Sequence, residues 1–218
     1  MNFKFSFDGF MAMLADYNNA IWPLQIIVYL VTIAIIVMIF MQVRHSGKII
    51  AVWLGILWIW VGIVFNFIFF SKLTQLGIVF GVLFILQGLI FLYSGLTRND
   101  LAFRLNSGWK TIGGLIIMLY ALIGYPALEY AWGRGYPEIL PFGLAPCPLT
   151  VFTLGILFLP VKKVPGYLVI IPVFYSFGGI VPVSLGIKED IGLIISGLLV
   201  LILWLLQRKN RHSEVLTL

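Results

Sequence analysis

The sequence predicts an all-α fold, a polytopic transmembrane helical bundle of about seven spans with its amino terminus outside and its carboxyl terminus cytoplasmic. Three observations carry this expectation. The 218 residues are 61% hydrophobic and 10% charged, with a mean hydropathy of +1.08, too little polar surface for a water-soluble globule of this length. Apolar stretches near the ~20 residues needed to cross a hydrocarbon core of roughly 30 Å follow one another with short polar loops between them. No stretch is left for a separate soluble domain, so 1–218 reads as a single transmembrane domain. The lysines and arginines, finally, fall in alternately rich and poor loops, which sets an orientation.

Residues 1–19 place Phe7, Phe10, Met11 and Leu14 at i, i+3, i+4 and i+7, with Ser6 available as a cap and Asp8 and Asp16 off the stripe. This spacing predicts an interfacial amphipathic helix lying on the membrane surface. Spans are expected over 21–41, 49–70, 76–95, 111–125, 142–161, 166–182 and 191–206, followed by a cytoplasmic tail at 207–218. The first stretch runs into Gln42-Val43-Arg44-His45 without a small-residue cleavage pattern, so it reads as a retained span and not a cleaved signal peptide.

Arg44, Lys48, Arg98, Arg104, Lys110, Lys162, Lys163, Arg208, Lys209 and Arg211 fall on one side of these spans, and only Lys4, Lys72, Arg134 and Lys188 on the other. The first side is cytoplasmic by the positive-inside rule. The net charge of +6 is distributed in these small groups beside apolar runs, a pattern of topology signals and lipid-headgroup contacts that excludes nucleic acid as a partner. Six of the eight acids, Asp8, Asp16, Glu129, Glu138, Glu189 and Asp190, lie on the outer side. His45 and His212 sit in the basic clusters and read as interface residues. Trp22, Trp53, Trp109 and Trp132 lie near the expected interfaces, whereas Trp58 and Trp60 lie deeper.

The last three stretches carry Pro146, Pro148, Pro160, Pro165, Pro172 and Pro182. The 11 residues between Pro148 and Pro160 rise only ~16 Å as a helix, too little to cross the core. Two readings stay open: interrupted helices around a cavity or protein interior that satisfies the freed backbone groups, or the ordinary tolerance of membrane helices for proline.

Within the spans the polar residues gather toward the outer half: Gln25, Asn66, Thr150 and Thr153 near outer ends, Ser176 and Ser196 at middle to outer depth, and Gln87 near the middle. Such groups are costly against lipid unless bonded. They either join helices or line an outward vestibule. Cys147 stands near a helix amino terminus, with Pro148 suited to the first helical position, and is either a reactive thiol or a small buried hydrophobe. Glu189 and Asp190 sit at the start of the last span, where the helix dipole favours acids, or else line the vestibule with Glu129. The candidate cavity residues are Tyr17, Gln25, Asn66, Cys147, Thr150, Glu189 and Asp190. The single cysteine allows no intramolecular disulfide and no metal-binding pair, and no acid or base is placed for catalysis, so neither enzyme activity, metal nor cofactor is expected. The expected partners are the lipid bilayer, a small solute or ion, and a membrane-protein partner or second copy of the chain.

Tyr17-Asn18-Asn19-Ala20-Ile21-Trp22-Pro23-Leu24-Gln25, Phe142-Gly143-Leu144-Ala145-Pro146-Cys147-Pro148 leading into Phe152-Thr153-Leu154-Gly155, and Gly178-Gly179 followed by Lys188-Glu189-Asp190-Ile191-Gly192 resemble a family of small bacterial multi-span membrane proteins catalogued as a domain of unknown function. The stretch from Trp58 through Gly62 and Phe69-Phe70 to Gln87-Gly88 fits as well. The resemblance implies a protein of a bacterial inner membrane and supplies no activity. Retinal proteins share the expected topology but need a lysine within the last span, and 191–206 has none. The sequence therefore points to binding or transport of a small solute or ion through an outward-facing polar cavity, or to a cargo-free sensory or interaction subunit of a membrane complex.

Overall fold

A short amino-terminal helix is bent sharply away from the first strongly apolar one. The structure, a computed structural model, describes residues 6–98, 100, 101, 103, 108–160 and 164–215, with side chains as far as 207. Helix α1 (Phe7–Ala20) starts where Ser6 Oγ accepts the Gly9 N–H at 3.2 Å. It buries Phe10, Met11 and Leu14 of the expected stripe and leaves Asp8 and Asp16 exposed, but Phe7, the first residue of that stripe and of the helix, is exposed as well. Helix α2 (Leu24–Phe40) follows after Pro23, and the two are bent by 77°.

Three long helical stretches come next. Helix α3 (Ser46–Trp60) runs on through a π-helical turn at Val61–Phe69, and α4 (Leu76–Tyr93) through another at Ser94–Arg98. Helix α5 (Trp109–Leu119) passes through a π-helical turn at Tyr120–Gly124 into α6 (Tyr125–Ala131). The rest comprises α7 (Pro146–Phe158), α8 (Gly166–Phe177), α9 (Ile180–Ser184) and α10 (Asp190–Val215), and no strand occurs among the described residues. Among the described residues five helical stretches are long and apolar enough to cross a membrane: Ser46–Lys72, Leu76–Arg98, Trp109–Ala131, Gly166–Ser184 and Asp190–Gln207. Counting the bent α1–α2 pair as one span makes six.

The expected stretch 142–161 differs most from its sequence reading. Only Pro146–Phe158 is helical, 13 residues, all of them buried, with a rise of ~20 Å that falls short of a hydrocarbon core. Prolines are accepted in the first turn of a helix, whose N–H groups lack intrahelical partners anyway. The helix therefore begins at Pro146, not at Pro148, and Ala145 before it is extended. Pro172 behaves in the opposite way and sits inside α8 without ending it. The break comes later, at Gly178-Gly179 between α8 and α9.

Helix α7 forms the centre, packed by α3, α5, α8 and α10. Close approach elsewhere depends on glycine. A Cβ on Gly88 would lie 2.8 Å from the Gly55 carbonyl oxygen, one on Gly62 2.9 Å from that of Gly81, and one on Gly114 2.9 Å from that of Gly155. The first two pairs run in opposite sequence directions, and a Cβ on Gly114 would also meet Leu159 while one on Gly155 would meet Met118, so α3–α4 and α5–α7 are antiparallel, held by backbone proximity typical of small-residue helix seams. Trp58 is fully buried, stacks on Phe84 at 4.3 Å and donates Nε1–H to Thr153 Oγ1 at 2.9 Å. Trp60 is half-buried, while Trp22, Trp109 and Trp132 are exposed near helix ends. Leu30, Ile33, Val79, Val82, Ile195 and Ile202 are among the apolar side chains exposed on the bundle exterior, the surface that suits lipid. Of the residues used for orientation, Lys4, Arg104, Lys162 and Lys163 lie outside the described residues, as do the side chains of Arg208, Lys209, Arg211 and His212 and the end of the tail.

Candidate functional site

At one end of the bundle, α1, the approach from α3 to α4, the start of α7 and the α8–α10 connection surround a cavity of about 350 Å³. Its polar wall is formed by Asn66, Thr74, Cys147, Tyr175 and Asp190, and the Gly178-Gly179 turn closes part of its rim. Each side chain is held there by local structure. Asn66 belongs to the π-helical turn and donates Nδ2–H to the Val61 carbonyl at 3.1 Å; such turns often mark functional sites because they re-aim side chains. Cys147 is the second residue of α7, with its thiol donating to Asp190 Oδ2 at 3.3 Å and lying 3.7 Å from the Tyr175 hydroxyl. Asp190 opens α10, where the helix dipole favours a carboxylate. The Tyr125 hydroxyl donates to its Oδ1.

Behind Asp190 lies a second group of charges. Arg134 bonds Glu189 Oε1, and its Nη1 is 3.8 Å from Glu129 Oε1, which also accepts the Leu140 N–H at 2.8 Å. The Tyr120 hydroxyl donates to the Glu189 carbonyl at 2.6 Å. Glu129, Glu189 and Asp190 have no exposed surface, and the Arg134 side chain is only 11% exposed. Two carboxyl groups therefore adjoin one guanidinium, with Asp190 next in the chain to one of them. The Oε2 atoms of Glu129 and Glu189 have no hydrogen-bond partner, a costly condition in a buried site.

Of the seven residues singled out in the sequence, Asn66, Cys147 and Asp190 line this cavity. Glu189 is turned into the ion-pair group behind it. Tyr17 is fully buried, donates to the Leu144 carbonyl at 2.6 Å and accepts from Trp60 Nε1 at 3.2 Å. Gln25 donates to the Asn18 carbonyl at 2.9 Å, and Asn18 in turn holds the Pro137 and Ile139 carbonyls. Thr150 bonds back to the Pro146 carbonyl at 2.7 Å, one turn earlier in its own helix. Tyr17, Gln25 and Thr150 thus make internal joins and are not among the cavity-lining residues. Among the described residues no group of three His, Cys, Asp or Glu side chains is placed to hold a metal ion.

Tyr125, Arg134 and Tyr175 complete the site and were missed in the sequence. The one available signal was electrostatic: Glu129, Glu189 and Asp190 are acids flanking apolar runs, and Arg134 is the cation nearest Glu129 in sequence. A family of unknown function (DUF6064) matches residues 7–214. The chain belongs to this family. No curated protein and no solved structure matches it.

Proposed function

We propose that this member of DUF6064 is a bacterial inner-membrane protein, with its amino terminus outside, that binds a small solute in the cavity at its outer end and serves its uptake or transfer. The observation that carries the reading is the enclosure of Asn66, Cys147 and Asp190 around one space of about 350 Å³. A volume in the range of small-molecule sites, mainly apolar walls and a few converging polar groups are the usual attributes of a ligand pocket. The ten-to-four division of basic residues supports placing that end outside.

Thermal unfolding of the purified chain against a panel of ions, metabolites and small organic solutes tests the proposal. A true ligand at 100 times its dissociation constant adds about 2.7 kcal/mol, and the shift should vanish in Leu185→Trp, which places an indole in the cavity wall. A shift unchanged by that substitution contradicts it. The cargo-free subunit is the second reading, favoured by the internal bonds of Gln25 and Thr150. It gains if no solute shifts the wild type and the chain instead purifies with a stoichiometric membrane-protein partner.

A further inference from the structure

We propose that the ligand of this cavity is an apolar organic monocation, a quaternary ammonium or a substituted amine carrying a hydrocarbon or aromatic body. The inference rests on the solute-binding reading above and specifies its chemistry. Phe10, Phe65, Phe70, Phe80 and Tyr175 all line the cavity, with Asp190 at its polar wall. The rings meet edge-on or tilted, Phe10 against Phe70 at 6.0 Å, Phe65 against Phe70 at 6.2 Å and Phe80 against Tyr175 at 5.5 Å. Aromatic faces attract cations through their quadrupole, and rings gathered around one space are the usual cage for quaternary ammonium groups.

Charge complementarity points the same way. Among the described residues no lysine, arginine or histidine lines the cavity. Asp190 accepts hydrogen bonds at both oxygens, from Tyr125 and Cys147, and is the one acid among the described residues that line the cavity. The nearby guanidinium of Arg134 is engaged with Glu189 and Glu129. Lys188, next to the group in sequence, is exposed and lies over the Trp132 ring at 5.9 Å. The group holds more carboxyl groups than guanidinium, and Glu129 Oε2, Glu189 Oε2 and Arg134 Nη1 have no hydrogen-bond partner. An anion entering the cavity would meet Asp190. A bare inorganic cation would leave the aromatic wall unused. A molecule that is apolar with one positive centre satisfies both surfaces.

The test uses the full chain in detergent and three probes of similar size: phenyltrimethylammonium, its neutral carbon isostere tert-butylbenzene, and benzenesulfonate. Calorimetric titration is corrected for uptake into protein-free micelles. The cation should bind tighter than the neutral probe by about tenfold or more, and benzenesulfonate should not bind. Asp190→Asn should remove the preference for the cation while leaving the affinity for tert-butylbenzene unchanged. The wild-type ratio decides the matter even if that variant folds poorly. Equal binding of cation and neutral probe, or binding of the anion, overturns the charge assignment and leaves the solute-binding reading intact. Absence of all three, with another solute of the panel bound, overturns this inference alone; absence of every solute overturns both.

Discussion

Arg134→Gln removes the guanidinium that stands between Glu189 and Glu129. In the folded protein both carboxylates have no solvent exposure and the arginine side chain is 11% exposed, so water screens the group little. Breaking a buried ion pair by deleting one partner costs about 3–5 kcal/mol, chiefly because the other charge stays buried without compensation. Here Glu189 loses the cation that it bonds, which places the expected loss within that range. Against a total stability of roughly 5–15 kcal/mol for an ordinary domain, this is a large fraction. Glu189→Gln removes the stranded charge, so the double variant Arg134→Gln/Glu189→Gln should be more stable than Arg134→Gln alone, with a coupling of about 1–3 kcal/mol. Unfolding in mixed micelles, followed by the fluorescence of the seven tryptophans, measures all four members of the cycle. An Arg134→Gln variant within about 1 kcal/mol of wild type, or a double variant whose loss equals the sum of the singles, would show that Arg134 and Glu189 are not a coupled buried pair.

Gly88→Ala should destabilise the α3–α4 pair although alanine is the better helix former by about 1 kcal/mol. Its Cβ would stand 2.8 Å from the Gly55 carbonyl and 3.0 Å from the Ile59 nitrogen, backbone atoms that move only with the helix, for a gross overpacking cost of about 1–3 kcal/mol; denaturant titration reads the net. Thr153→Val should leave the indole N–H of the fully buried Trp58 without its partner, costing about 1–3 kcal/mol, whereas Thr150→Val loses only a bond to its own helix and should cost less in the same titration. Reporter fusions at the two termini should place the amino end outside and the carboxyl end inside; the same side for both would contradict the proposed orientation.

Helix existence was legible because hydropathy reports it directly: the long stretches 49–70, 76–95 and 191–206 recur in Ser46–Lys72, Leu76–Arg98 and Asp190–Gln207. The capped amphipathic α1 was legible from Ser6 and the apolar spacing. The extent of α7 was half-legible, since Pro148 and Pro160 showed that a full crossing was too short, but the helix start at Pro146 depended on which proline occupied the first turn. Site composition was harder to read. Depth along a span follows from residue number, and depth alone gathered Gln25, Asn66 and Thr150 together. Direction around a span does not, because helices that are apolar on every face carry no moment to fix their rotation. Hence Asn66 lines the cavity while Thr150 turns back on Pro146, and the rings of Phe65, Phe70 and Phe80 could not be distinguished in the sequence from lipid-facing phenylalanines.

Modification of Cys147 tests whether the cavity is reached from the outer side, since this is the chain's single cysteine and it lines that cavity. Intact cells expressing the full chain are treated with a small membrane-impermeant thiol reagent. An outward-facing solute cavity requires labelling of wild type from outside and its loss in Leu185→Trp. Labelling only after the membrane is breached, or labelling unaffected by the indole, would contradict it.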